Sequence, residues 1–347
     1  MIERILFGGY TKKGGKGVYT AELNTTTSQV SVPLPYISSI DGPTYLAKSD
    51  KGILYVVTKK GEKGGISAFS LTGKQPELLN DSLSIGSSPA YVSVDNARDL
   101  VFSANYHTGY ICVDRILPDG GLSRSDSVLQ EGKGPRPEQE ASHPHFADLT
   151  PDGRLVTVNL GTDTVTTYQI NEDNKLSNPV TFHTDPGFGP RHIVFHPSLP
   201  VAYLVGELSS KVSVLQYSAN EGSFSVKQTL STIPSDWTVH NGAAAVRISN
   251  DGKFLYVSNR GHNSIISYQV DAGGNLTDNG FTSTFGDFPR DFAIDPTGNF
   301  LLAVNQNSDT GTLYLRDPSN GHLTPAQINI PVPEGVCVLF RREHTLD

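Results

Sequence analysis

The stretch PHFADLTPDGRLVTVNL, residues 144–160, decides the fold. An apolar run, HFADL, meets the turn TPDG, and a second apolar run, LVTVNL, follows at once. Short runs rich in β-branched and aromatic side chains and broken by Asp-Gly predict antiparallel strands joined by a hairpin. Further on, TVTTYQI (164–170) alternates as a third strand, and NEDNKL (171–176) turns the chain into a weaker fourth. No segment sustains helical periodicity over three turns.

The same order recurs along the chain. PTYLAKSDKGILYVVT begins at Pro43, PAYVSVDNARDLVFSANY at Pro89 and PRHIVFHPSLPVAYLVGE at Pro190. NGAAAVRISNDGKFLYVSNR begins at Asn241 and PRDFAIDPTGNFLLAVNQ at Pro289. The spacing is roughly 50 residues, and four strands at that period predict a propeller blade. Six complete repeats leave two loose ends. EGVCVLF (334–340) reads as a first strand without partners, while ERILFGGY, GVYTAEL and QVSVPL near the N-terminus read as second, third and fourth strands without a first. Joined, they predict a seventh blade holding both chain ends. The expected fold is therefore all-β: a seven-bladed β-propeller of four-stranded antiparallel blades, closed by pairing of the N- and C-terminal strands. A single domain over residues 1–347 is expected.

Composition narrows the function classes. With 27 Lys and Arg against 35 Asp and Glu, the net charge is −8, which argues against a nucleic-acid partner, since neutralising phosphates takes clustered Lys and Arg. No apolar run of about 18 residues occurs, so no membrane span is expected. The first apolar run is too short, and charge comes too early, for a signal peptide. Cys112 and Cys337 cannot form a disulfide framework or a four-ligand zinc site. A soluble protein of a reducing compartment, the cytoplasm, is the expectation, with no metal and no cofactor.

Propeller topology turns the repeat into a site. The first strand of each blade lines the axis and the second runs antiparallel beside it, so the start of one and the end of the other share one mouth. Directly after the Pro stand Thr44, Ala90, His145, Arg191 and Arg290; at the ends of second strands stand Tyr106, Leu160, Glu207 and Arg260. A His, three Arg and a Glu at equivalent positions exceed what turn chemistry requires. Asn105 and Tyr106 are expected to touch substrate at the same mouth. His192, also a substrate-side candidate, should point away from Arg191 if its strand alternates regularly, which favours a packing or supporting role. His143 precedes its Pro and is displaced from the repeated position, and His196 sits in the turn HPSLP. GGYTKKGGKG (8–17) lacks the spacing of a phosphate loop and joins two strands, so it reads as a hairpin turn.

At these residues the chain resembles the seven-bladed propeller lactonase family, whose bacterial members include 6-phosphogluconolactonase and whose fold fungal carboxy-muconate lactonizing enzymes share. GPRHIVFHPSLPVAYLVGELSSKVSV (189–214) carries the most specific part. The resemblance implies His145, Arg191, Arg260 and Glu207 as the catalytic set. It also implies a metal-independent opening of 6-phospho-D-glucono-1,5-lactone to 6-phosphogluconate in the pentose phosphate route. His145 or Glu207 would serve as base. Arg191 and Arg260 would stabilise the oxyanion or grip phosphate, with Arg290 as a further phosphate ligand. The loops EGKGPRPEQEASHP (131–144) and SDWTVH (235–240) are where substrate preference should depart. A cycloisomerase-like activity on another lactone and a non-catalytic interaction platform are the alternatives. The small anionic sugar lactone is the expected partner; oligomeric state is left open.

Overall fold

The computed structural model describes residues 1–341. Seven antiparallel sheets follow one another as the blades of a seven-bladed β-propeller, in the order the repeats require. Blade one pairs Gly335–Arg341 with Ile2–Gly9, Phe7 lying opposite Val338, so the two ends of the chain share a sheet as expected. Val18–Asn24 follows, and the fourth strand is split into Gln29–Val30 and Leu34–Ile37. The sequence had read this last segment as continuous. Pro33 falls in the break, and proline has no N–H to give to a ladder; Pro35 lies within the second piece, opposite Tyr19.

Blades two to five each run through four strands. Blade two begins at Leu46–Lys48 and blade three at Tyr91–Asp95. Blade four comprises Pro144–Leu149, Leu155–Asn159, Thr164–Ile170 and Leu176–His183. Blade five comprises Pro190–Phe195, Val201–Gly206, Lys211–Ser218 and Ser223–Ser231. Blade six starts with Gly242–Ile248 and Phe254–Arg260, and blade seven with Pro289–Ile294 and Phe300–Asn305. Second strands are buried on both faces and fourth strands are largely exposed, as the residue types dictate: VAYLVG is apolar throughout, SFSVKQTLS is not. The second-strand hairpins close on glycines in the left-handed region, φ +81° at Gly153 and +73° at Gly252, where a Cβ would be strained.

The chain packs as two compact units. One holds Tyr45–Phe195 and Pro200–Thr229, which is most of blades two to five; its core is built from residues such as Phe102, Val158, Leu204 and Tyr217. The other holds Met1–Thr44, His196–Leu199 and the described residues from Leu230 on, with Phe7, Leu302 and Leu313 in one of its clusters. The 3-10 turn Pro137–Gln139 interrupts the loop before blade four, where buried Gln139 donates from Nε2 to the Leu160 carbonyl at 2.8 Å.

One irregularity repeats and matters for function. The ladder between first and second strands slips at Pro144/Phe146, at Pro190/His192 and at Pro289/Asp291. The residue left over in each case is the one after proline: His145, Arg191 and Arg290. A β-bulge bends its strand and re-aims the side chain beside it, so the repeated position is irregular by construction.

Candidate active site

In the four-blade unit the approach to Arg191 is held rigidly. Asp163 accepts the Gly187 amide at 2.7 Å and the Gly189 amide at 2.8 Å with its two carboxylate oxygens. Gly189 sits at φ +61°, and a Cβ there would meet the Leu208 side chain at 2.4 Å, so glycine is required on both counts. Its carbonyl accepts the Glu207 amide at 2.7 Å. The backbone thus fastens the start of one strand of blade five to the end of the next before any side chain is considered.

Across that tie, Glu207 Oε2 lies 3.0 Å from Arg191 Nε, with the guanidinium buried and the carboxylate partly exposed. A buried cation needs such a partner to offset lost hydration. Arg191 Nη1 also reaches His192 Nε2 at 3.4 Å, and the same nitrogen lies 3.2 Å from His145 Nδ1. Four of the expected residues therefore form one connected set. The expectation that His192 would turn away from Arg191 is corrected here: it assumed regular alternation, and the bulge at Arg191 removes it. His192 is 1% exposed and is packed by Tyr45, Tyr91 and Phe146, with ring centroids 6.2, 5.3 and 5.5 Å away.

Tyr106 joins this set from blade three. Its ring meets His145 edge-on at 5.9 Å and lies flat against His143 at 4.2 Å. His143 Nδ1 pairs with the Tyr106 carbonyl at 2.8 Å, and its Nε2 lies 3.3 Å from Glu140. The ring so placed fixes Tyr106 from behind. Asn105, expected to face substrate, instead spends its amide on the chain: Nδ2 donates to Ser87 O at 2.6 Å, and Oδ1 accepts from the amides of His107 and Thr108. Asn159 and Asn259 stand at the same repeat position and likewise hold backbone, at His143 N and Thr232 O. This asparagine is scaffold, a role legible in the repeat SANY, TVNL, VSNR but not read from it.

In the three-blade unit, Arg260 is buried, donating to Gly242 O at 3.1 Å and Ala243 O at 3.2 Å with Phe288 under its guanidinium at 5.1 Å. Arg290 donates to Gln306 Oε1 at 3.3 Å and lies 5.9 Å from the centre of the Tyr10 ring, which also carries Lys12 Nζ at 4.7 Å. Arg290 with Gln306 occupies the repeat positions that Arg191 with Glu207 occupies in blade five. The difference is charge: a carboxylate faces Arg191, while among the described residues a neutral amide faces Arg290.

Residues 4–340 match the family of lactonases with a 7-bladed beta-propeller. The chain belongs to that family. It is 39% identical over 339 residues to the 6-phosphogluconolactonase of Bacillus subtilis, spanning 96% of this chain and 97% of that one. A crystal structure of a protein from Lactobacillus plantarum superposes with a TM-score of 0.97 at 48% identity, covering 99% of this chain and all of that one. The periplasmic gluconolactonase of Pseudomonas aeruginosa superposes with a TM-score of 0.91 at 28% identity, covering 98% and 99% of the two chains.

Two further features of this lactonase-family chain bear on the site. Among the described residues no three His, Cys, Asp or Glu side chains gather as metal ligands, and no helix is long and apolar enough to cross a membrane. His196 is structural, as its turn suggested: Nδ1 accepts the amides of Ser198 and Leu199, and burial above all lowers its pKa.

The hairpin Tyr10–Gly17 hides something the motif reading missed. It does join two strands, but its amides bind an anion that the chain itself supplies. Lys13, Gly14 and Gly15 donate to Glu334 Oε2 at 2.8, 3.1 and 3.0 Å, and Lys12 donates to Oε1 at 3.3 Å. Burial opposes the charge on Glu334, but these amides outweigh it and hold the carboxyl below its ordinary range. A depressed folded pKa adds stability that is complete above the unfolded value, about 4.3 for Glu, and is lost as pH falls through the folded one. Glu334→Gln should therefore lower the melting temperature at pH 7 and flatten its decline between pH 5 and 3. An unchanged acid limb in a melting series would contradict this account of the loop.

Proposed function

We propose that this protein hydrolyses a phosphorylated sugar δ-lactone, 6-phospho-D-glucono-1,5-lactone, giving 6-phosphogluconate. The observation that carries the reading is the connected His145, His192, Arg191 and Glu207 set in a member of a lactonase family. The 39% identity to a 6-phosphogluconolactonase supports the substrate class.

Opening the ring adds water to an ester carbonyl. A base takes one proton from water as its oxygen bonds to the carbonyl carbon; the oxyanion then collapses, the ring C–O bond breaks, and the ring oxygen takes up a proton. His145 serves as base and then as acid, since a neutral imidazole takes up a proton on one nitrogen and can return it. Of the two candidate bases it is favoured because Glu207 is ion-paired, and a carboxylate held by guanidinium is a poor base. Arg191 presents a buried guanidinium donor to developing negative charge.

The test follows loss of fresh 6-phosphogluconolactone against its spontaneous hydrolysis, with D-glucono-1,5-lactone in parallel. The reading expects acceleration of the phosphorylated lactone over the unphosphorylated one. No acceleration would end the proposal. A preference for the unphosphorylated lactone would move the protein toward the activity named for its Pseudomonas relative.

A further inference from the structure

We infer that His192 is a positioning residue that fixes the proton of His145 on Nδ1, leaving Nε2 of His145 as the basic atom. The inference rests on the proposed lactone hydrolysis for its kinetic consequence, but its structural content concerns three side chains only.

The argument is one of donors and acceptors. A guanidinium carries five N–H groups and accepts no hydrogen bond. Arg191 Nη1 points an N–H at His192 Nε2 from 3.4 Å, so that nitrogen must present its lone pair. A proton on it would face a cation's N–H in a site where His192 is 1% exposed, and burial makes such a clash costly. His192 is therefore neutral, with its proton on Nδ1. The same Nε2 lies 3.2 Å from His145 Nδ1, and two lone pairs cannot face each other at that distance, so His145 Nδ1 carries the hydrogen and donates. In neutral imidazole one nitrogen is protonated and the other is not. Nε2 of His145 is then the atom that can take a proton from water.

Packing makes the assignment durable. Tyr91 and Tyr45 meet the His192 ring nearly at right angles, 81° and 85°, and Phe146 closes a third side, so the plane of the ring is set by its neighbours. The bulge after Pro190 brings Arg191 and His192, neighbours in sequence, to the same point. Glu207 meets Nε of the same guanidinium whose Nη1 meets His192, neutralising Arg191 so that its N–H is directed without a surplus charge beside the base.

Two-bond ¹H–¹⁵N spectra of ¹⁵N-histidine protein above pH 8 read the tautomers directly, with no substrate present. Nδ1–H for both His145 and His192 is expected; Nε2–H on either ring would overturn the inference. Kinetics provide the second readout. His192→Gln keeps an acceptor oxygen near the place of Nε2 and should retain most of kcat, whereas His192→Leu should lower kcat about 10- to 100-fold with KM nearly unchanged. Equal activity in the two variants would also overturn it. Should His192→Leu fail to fold, the wild-type spectra and His192→Gln still decide. A protein with these tautomers but no lactone-opening activity would sink the proposed function and leave the proton assignment standing.

Discussion

Replacing His145 with alanine should lower kcat for lactone opening by about 10²–10⁴, the usual contribution of a general base. The ring stands where a bulge turns it out of the ladder, with its Nδ1 engaged by His192 and its plane nearly perpendicular to Tyr106. Water is a weak nucleophile, and removing the base forces hydroxide or unassisted water to attack. A thousandfold loss corresponds to about 4 kcal/mol of barrier. Because the base acts only in the transition state, kcat and kcat/KM should fall together while KM holds. His145 is buried, so a circular-dichroism melt of the variant must accompany the rates. A folded His145→Ala protein with wild-type kcat would remove this residue from the chemistry.

Arg191→Gln should cost about 10²–10³ in kcat, the loss typical of one oxyanion donor. Here a structural term is added. Truncation also strips Glu207 of its cation and frees His192 Nε2 from the donor that dictates its proton. Arg191→Lys separates the effects. Lysine restores positive charge for Glu207 but is a compact ammonium without the planar fork, so partial recovery of stability with little recovery of rate is the expected result. Rates for both variants, set beside their unfolding midpoints, check it. Full recovery by lysine would mean that charge alone suffices and that directed donation plays no part.

The architecture was open to reading because repetition multiplies weak signals. One hairpin such as LTPDGRL proves little, but six at similar spacing demand a blade, and unmatched strands at both ends demand closure. The repeated position after proline also picked out His145, Arg191 and Arg290 without coordinates. What alternation could not supply was direction. His192 was expected to face away from Arg191, and the ladder slip at Pro190 puts the two side chains together. Asn105 looked like a substrate contact, but short polar side chains at strand ends often hold turn amides instead. Glu334 drew no notice because a carboxylate gains meaning only once four amides, more than 300 residues away in the chain, converge on it.

Strand order, blade count, the pairing of the two ends and the residue types at each blade mouth were determined by the sequence itself. All of these depend on local pattern: apolar alternation, Asp-Gly turns and proline placement act over a few residues and repeat. Which nitrogen meets which, that a carboxylate faces Arg191 while a neutral amide faces Arg290, and that the glycine-rich hairpin already holds a carboxylate were decided only by tertiary structure. Those facts depend on separations of a few tenths of an ångström between distant segments, and on bulges that break the very periodicity by which a strand is recognised.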